Sequence, residues 1–226
     1  MAWFTAPSGA TCVAAYDAIG AASLADSYTD ESGTGNTAAP GVAPTWTSGA
    51  GWTFNGSTQY LTTGLTPADT WSMIVRFSGG SDVLSGLCGA FRTSGGSGGF
   101  LISNRFTTNV RHYRSGLSGN VLSVAPRADS GVMAVAAKAA YLNGVSDGTI
   151  TAGASTGHGV ILIGAYSNNG VAASITSCSI QALAIYSGTL SGADVATITS
   201  AMNALAAARG LPVLAHWHHQ VYGGGH

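Results

Sequence analysis

Charged residues are scarce in this 226-residue chain. Only 8% of its residues are Asp, Glu, Lys or Arg, whereas about a quarter is usual for soluble domains. The formal net charge is −1. A surface that binds nucleic acid needs clustered Lys and Arg. The nearest approach to a cluster is Arg105, Arg111 and Arg114, which we interpret as a solvated loop or strand edge. We therefore expect no nucleic-acid partner.

Long apolar runs are also missing. No window approaches the ~18 continuous apolar residues that a transmembrane helix requires. The N-terminal stretch lacks the basic region of a signal peptide, and Asp17 interrupts its apolar part. We therefore predict no signal peptide, no transmembrane segment and no membrane partner.

Cysteine is rare, and its pattern carries little chemistry. The three cysteines, Cys12, Cys88 and Cys178, are odd in number and widely spaced, which fits neither a disulfide framework nor a zinc site. Cys88 and Cys178 lie in apolar runs, so we expect them to be small buried hydrophobic residues. The sequence leaves open whether Cys12 takes part in a single disulfide.

What the chain has in abundance is glycine and short alternating segments. It contains 33 glycines, and 46% of its residues are hydrophobic. In residues 71–78, WSMIVRFS, every second residue is apolar and large, which is typical of a strand with one buried face. Asn143-Gly144 separates two such runs and predicts a tight hairpin, because both residues tolerate positive φ. Strands at roughly ten-residue spacing predict an antiparallel sandwich or barrel.

One strong helix signal follows the strands. Residues 190–210 begin with Ser191 as a candidate N-cap and have Asp194 three residues later, which is a capping-box arrangement. Apolar residues then recur at helical spacing up to Gly210, and Pro212 prevents continuation. We expect the apolar face of this helix to dock on the sandwich.

These patterns suggest one domain with two flanking segments. Residues 1–50 form an N-terminal strand and an extended arm of the same domain, in which 31–50 is a loop rich in Gly, Pro and Thr. Residues 51–210 form the β domain itself. Residues 211–226 form a C-terminal tail.

The order of five segments resembles the concanavalin A-like, laminin-G-like jelly-roll family. The segments are GWTFNGSTQYL (51–61), WSMIVRF (71–77), YLNGV (141–145), ILIGAYSNNG (161–170) and SIQALAIYSGTLSGADVATITSAM (179–202). The resemblance covers roughly residues 50–205 and implies an all-β, two-sheet antiparallel jelly-roll sandwich with one helix on its C-terminal side. The front of the chain resembles a subgroup that is found in phage and environmental bacterial proteins.

The resemblance also raises the questions of whether the chain is an enzyme and whether it binds calcium. Glucanases of this superfamily carry paired carboxylates on one strand. This chain has a single Glu, Glu31, and its eight Asp residues are dispersed. We therefore predict that it is not an enzyme and that it has no catalytic residues. We predict no required cofactor; calcium, with Asp82 and Asp147 as the conceivable ligands, is the one ion that the family suggests.

Two functions remain, a structural protein of a virus particle and a free-standing carbohydrate-binding module. We predict a virion-associated structural or adhesion protein, located at the virion surface or outside the cell, with neighbouring copies, other virion proteins and cell-surface glycan as partners. The nearly uncharged surface suits subunits that pack side by side. The C-terminal His216, His218 and His219 are an alternative metal site within a tail that we expect to pack on a neighbour or hang free. The candidate glycan ligands are residues that stack on or hydrogen-bond to sugars: Arg92, Asn104, Arg105, Arg111, Tyr113, Tyr166, Asn168 and Asn169.

Overall fold

Two antiparallel sheets make up most of the chain. The computed structural model describes residues 1–80, 84–93, 98–106, 109–117, 121–151, 153–155 and 157–213. Within these ranges the elements, in chain order, are β1 (Cys12–Asp17), α1 (Leu24–Ser27), β2 (Ala39–Val42), β3 (Thr45–Thr47), β4 (Gly51–Thr53), β5 (Tyr60–Thr62), β6 (Ser72–Ser78), β7 (Ser85–Arg92), β8 (Gly98–Phe106), β9 (Val110–Leu117), β10 (Leu122–Val124), β11 (Gly131–Ala136), β12 (Ala139–Leu142), β13 (Val145–Thr149), β14 (Leu162–Ile163), β15 (Tyr166–Asn168), β16 (Val171–Ala173), β17 (Ser179–Tyr186) and α2 (Gly192–Ala207).

In both sheets, many neighbouring strands are far apart in the sequence. One sheet, of eight described strands, runs β13-β12-β11-β6-β17-β4-β3, and β1 also pairs with β17. The other, of nine described strands, runs β10-β9-β8-β7-β14-β5-β2, with β15 and β16 added beside β7. The predicted all-β sandwich is confirmed.

Strand alternation determines which side chains form the core. In β6, Met73, Val75 and Phe77 point between the sheets and are fully buried. Ile74 and Arg76 point to the opposite face, which α2 and the N-terminal segment cover. The alternation predicted for residues 71–78 is therefore observed, and both faces of the eight-stranded sheet are covered.

The C-terminal helix forms and docks as predicted. The side chain of Ser191 accepts a hydrogen bond from the Asp194 backbone N–H, and Asp194 accepts one from the Ser191 backbone N–H. Val195, Ile198 and Met202 are fully buried against the outer face of the eight-stranded sheet. Among the described residues, no helix has the length and apolar character that crossing a membrane requires.

The hairpin at Asn143-Gly144 is also confirmed. Asn143 has φ 52° and Gly144 has φ 79°, and the turn joins β12 to β13. Positive φ at both central residues matches the twist of the flanking strands, which is why Asn-Gly is favoured there.

The N-terminal arm differs from its prediction. Residues 39–42 and 45–47 are not loop but form β2 and β3, which pair with β5 and β4 respectively. Pro40 is tolerated because β2 lies at the edge of the nine-stranded sheet. The cysteines follow expectation: Cys88 and Cys178 are buried, and all three cysteines are free thiols.

Candidate functional site

An aromatic pocket lies on the outer face of the nine-stranded sheet. Phe100 and Ile102 of β8 point into the core, so Leu101 and Ser103 between them face outward. The pocket is small, with a volume of about 30 Å³. We call it the aromatic pocket, and its lining residues are Leu84, Phe91, Leu101, Ser103, Phe106, His112, Arg114, Tyr166 and Ser174.

Ring and guanidinium contacts organise the pocket. The rings of Phe91 and Tyr166 meet edge to face, with centroids 6.2 Å apart. The guanidinium carbon of Arg114 lies 4.6 Å from the centroid of the Phe91 ring, which is cation–π geometry. Phe106 stacks on His112 at 4.1 Å between centroids. The pocket therefore combines apolar ring surfaces with a planar cation.

His112 is a neutral member of this group. Burial, and after it the nearby charge of Arg114, lowers its pKa to about 4. Arg114 Nε donates a hydrogen bond to His112 Nε2 at 3.3 Å, and His112 Nδ1 lies 3.2 Å from Ser123 Oγ. The imidazole thus accepts from Arg114 and fixes the position of the guanidinium.

A second, polar cleft is lined in part by residues at the ends of β7 and β15. Arg92 is the last residue of β7, and Asn169 follows directly after β15. Asn169 has φ 52°, and its amide donates to Thr93 Oγ1 at 2.7 Å. The residues that line the polar cleft are Thr66, Arg92, His158, Gly159, Val160, Asn169 and Gly170.

A Ser, a His and an Asp meet beneath the polar cleft. His158 Nε2 lies 2.7 Å from Asp69 Oδ1 and 2.9 Å from Ser155 Oγ, while Ser155 Oγ donates to Asp69 Oδ1 at 2.7 Å. In a nucleophilic triad the carboxylate and the hydroxyl bind opposite ring nitrogens. Here both bind Nε2, and Nδ1 is buried without a partner among the described residues. These hydrogen bonds join two loops. The imidazole does not lie between Ser155 and Asp69, as it would in a catalytic triad.

Four of the eight predicted glycan ligands lie at or next to these depressions, and a fifth lies nearby. Arg92 and Asn169 line the polar cleft, and Tyr166 lines the aromatic pocket. Asn168 is half-buried and accepts from the amide of Asn169. Arg105 is half-buried near the end of β8, next to Phe106 in sequence. Five of the eight predicted ligands therefore lie in the region of the two depressions.

Three predicted ligands point into the sandwich instead, which corrects the prediction. Asn104 is fully buried, and its amide donates to the carbonyl of Ala128 at 3.2 Å. Arg111 and Tyr113, both of β9, meet the carboxylate of Asp147 between the sheets. The interpretation of Arg111 as a solvated edge residue is wrong for the same reason.

The residues that sequence reasoning missed lie one position away. His112 and Arg114 alternate with Arg111 and Tyr113 along β9, so they occupy the opposite face and reach the aromatic pocket. Phe91 and Phe106 lie near the ends of β7 and β8. Period-two alternation does group the correct pair, but it does not say which pair faces outward.

Of the two conceivable calcium ligands, the structure describes Asp147 alone. Asp147 is engaged by Arg111 and by the Tyr113 hydroxyl, which donates to Asp147 Oδ2 at 2.7 Å. Asp82, His216, His218 and His219 lie outside the described residues. Within the described ranges, no group of three or more His, Cys, Asp and Glu is arranged to hold a metal ion.

Comparison with known proteins relates the chain to others by fold alone. No family model matches the sequence, and no curated protein matches it. Among solved structures, a Trypanosoma rangeli sialidase in complex with sialic acid is similar over 86% of this chain, with a TM-score of 0.63 at 12% identity. The chain spans 33% of the length of that sialidase. Domain 4 of AbnA, a GH43 extracellular arabinanase from Geobacillus stearothermophilus in complex with arabinotriose, is similar over 84% of this chain and 98% of its own, with a TM-score of 0.50 at 13% identity.

These neighbours correct the prediction that the chain is not an enzyme. Chains that share this fold include one named as a sialidase and a domain of one named as an arabinanase. Dispersed acids exclude a pair of catalytic carboxylates on one strand, but they do not exclude glycoside hydrolases that use other catalytic groups.

Proposed function

We propose that this chain is a carbohydrate-binding β-sandwich domain in which a sugar ring stacks at the mouth of the aromatic pocket, with the polar cleft as a second contact surface for sugar hydroxyls. The observation that carries the proposal is the arrangement of Arg114 over Phe91, 4.6 Å from the ring centroid, beside Tyr166. Sugar rings present an apolar face that stacks on aromatic rings and hydroxyls that hydrogen-bond to guanidinium and amide groups.

The aromatic pocket is too small to enclose a sugar unit, so a sugar ring would stack at its mouth. Ligand pockets commonly measure about 300–1,000 Å³, whereas the aromatic pocket holds about 30 Å³ and the polar cleft about 340 Å³. The polar cleft offers Arg92 and Asn169 to sugar hydroxyls. The similarity to an arabinanase domain in complex with arabinotriose supports the same class of ligand.

Binding is tested with a glycan array, followed by titration calorimetry with arabinotriose and with the strongest array ligand. Phe91→Leu removes the ring, and Arg114→Gln removes the cation. We expect each variant to weaken binding about tenfold, since stacking and cation–π contacts contribute roughly 1–2 kcal/mol. Arg127→Gln, which changes a guanidinium elsewhere on the surface, is the matched control and leaves affinity unchanged.

Two results would overturn the proposal. One is an array without a bound glycan, and the other is binding that neither pocket variant weakens. The same oligosaccharides are incubated with the protein and analysed for cleavage, because the fold neighbours include chains named as hydrolases.

The virion-associated setting remains a prediction from the sequence. Its support is compositional: 8% charged residues give neighbouring subunits little electrostatic repulsion. A domain on a particle surface would use the aromatic pocket for adhesion to host glycan. Sedimentation over a range of concentrations tests whether copies of the chain associate, and a chain that stays monomeric at all of them contradicts the packing between copies.

A further inference from the structure

Arg76 is a cation buried without an opposite charge. It lies on β6, on the face of the eight-stranded sheet turned away from the core between the sheets, and is 1% exposed. Its Nη1 donates to Asn203 Oδ1 at 2.5 Å, and its Nη2 donates to the carbonyl of Pro212 at 2.8 Å. Both acceptors are neutral. Nε has no hydrogen-bond partner among the described residues.

Three other arginines of the described chain have a carboxylate partner. Arg111 pairs with Asp147, Arg127 with Asp129 and Arg209 with Asp17. Arg76 forms no ion pair with a carboxylate among the described residues. Burial lowers its pKa to about 10, which still leaves it charged at neutral pH. A buried charge is costly unless it is paired.

An open pocket lies beside this guanidinium. It has a volume of about 440 Å³ and lies near the last described residues after α2. We call it the arginine pocket, and its lining residues are Arg76, Ser78, Gly79, Gly80, Asp129, Ser130, Gln181, Leu211 and Pro212.

Gln181 is a second unsatisfied group in the arginine pocket. It is 3% exposed, and its Nε2 donates to Ser78 Oγ at 3.2 Å. Its Oε1 is buried and has no donor among the described residues. Arg76 and Gln181 therefore both line the arginine pocket, and each has one buried polar atom without a partner among the described residues.

We propose that the arginine pocket binds a small hydroxylated carboxylate, the chemistry of a sugar acid. The carboxylate lies against Arg76, using Nε–H and a remaining Nη–H side by side, since a guanidinium has five N–H donors. A ligand hydroxyl donates to Gln181 Oε1. Leu211 and Pro212 supply the apolar wall. The site lies on the sheet opposite the aromatic pocket and does not depend on the function proposed there.

The test is titration of the full chain with D-glucuronate, followed by calorimetry and NMR, with D-glucose and acetate as matched probes. Glucose lacks the carboxylate, and acetate lacks the hydroxyls. We expect glucuronate to bind at least tenfold more tightly than either. Arg76→Met abolishes this binding, Arg76→Lys weakens it about tenfold because the planar fork is lost, and Gln181→Met weakens it several-fold.

Controls exclude a general effect of arginine loss and misfolding. Arg209→Gln, which changes a guanidinium that pairs with Asp17 and lines neither pocket, leaves glucuronate affinity unchanged. Thermal melting checks that each variant folds, and Arg76→Lys keeps the charge if Arg76→Met does not fold. Equal affinity for glucuronate and glucose, equal affinity for glucuronate and acetate, or glucuronate binding that Arg76→Lys and Gln181→Met leave intact would each overturn the proposal.

Discussion

The guanidinium of Arg111 and the carboxylate of Asp147 form an ion pair between the two sheets. Their side chains are 7% and 10% exposed, and Tyr113 donates its hydroxyl to the same carboxylate at 2.7 Å. The pair joins β9 of one sheet to β13 of the other. Charged side chains are almost never buried unless they are paired, so each of the two requires its partner.

Removing one member of this pair should cost far more than removing both. Arg111→Met leaves Asp147 buried without its cation, and we expect a loss of about 3–5 kcal/mol in the free energy of unfolding. The double variant Arg111→Met/Asp147→Leu should recover most of that loss. Urea unfolding measures both effects. Arg127→Met, which breaks the more exposed pair with Asp129, should cost less than about 1 kcal/mol. If Arg111→Met and Arg127→Met lowered the free energy of unfolding equally, the assignment of Arg111 to the interior would be contradicted.

Protonation of His112 should lower the free energy of unfolding in acid. Its pKa is about 4 in the folded protein against 6.5 in a model peptide, so the unfolded chain takes up this proton first as the pH falls. The contribution is fully present at pH 7 and is lost progressively between pH 6.5 and about 4. At about 1.4 kcal/mol per pKa unit, it amounts to about 3 kcal/mol.

The His112 contribution is isolated by comparison with His112→Gln. Urea unfolding of both proteins at pH 7 and at pH 4.5 gives the pH-dependent loss of each. The carboxylates titrate in both proteins, so the difference between the two losses reports the imidazole. We expect a smaller loss in the variant, and identical losses would show that His112 is protonated equally in both states.

Gly164 should not tolerate a side chain. Its φ is 78°, and a Cβ built on it would overlap the ring of Phe54, which is 2% exposed. Gly164→Ala therefore combines backbone strain with overpacking, and we expect a loss of roughly 2–4 kcal/mol in unfolding free energy. Gly188→Ala is the matched control, because no atom lies within 4 Å of its Cβ position. A melting temperature of Gly164→Ala equal to that of the control would refute the packing of Phe54 described here.

Elements with strong local signals were predictable, and elements defined by distant partners were not. The Asn143-Gly144 hairpin and the capping box of α2 depend on residues within four positions of each other. Strands β2 and β3 exist because β5 and β4 offer them edges, and the Gly, Pro and Thr of this segment favour a loop on their own. Tertiary pairing overrode local propensity there.

The sequence predicted the region of the candidate site but not which side chains of β9 face outward. Arg92, Tyr166 and Asn169 line the two depressions, and their aromatic or planar polar side chains, which suit sugar binding, made them candidates from the sequence. Along β9 the sequence alternates one basic-aromatic pair, Arg111 and Tyr113, with another, His112 and Arg114. Either pair is a reasonable outward face by composition. Only the buried carboxylate of Asp147, some 35 residues later in sequence, decides that Arg111 faces inward.

The position of β17 has a consequence for how the chain folds. Residues 179–186 pair with β1, β4 and β6, so this late segment holds together strands from the first third of the chain. Contacts of such long sequence separation form slowly. During synthesis β4 can pair with β3 and β6 with β11, but β1 gains its partner only after residue 186 has left the ribosome, so the eight-stranded sheet is completed late and its apolar strand edges stay open to aggregation until then.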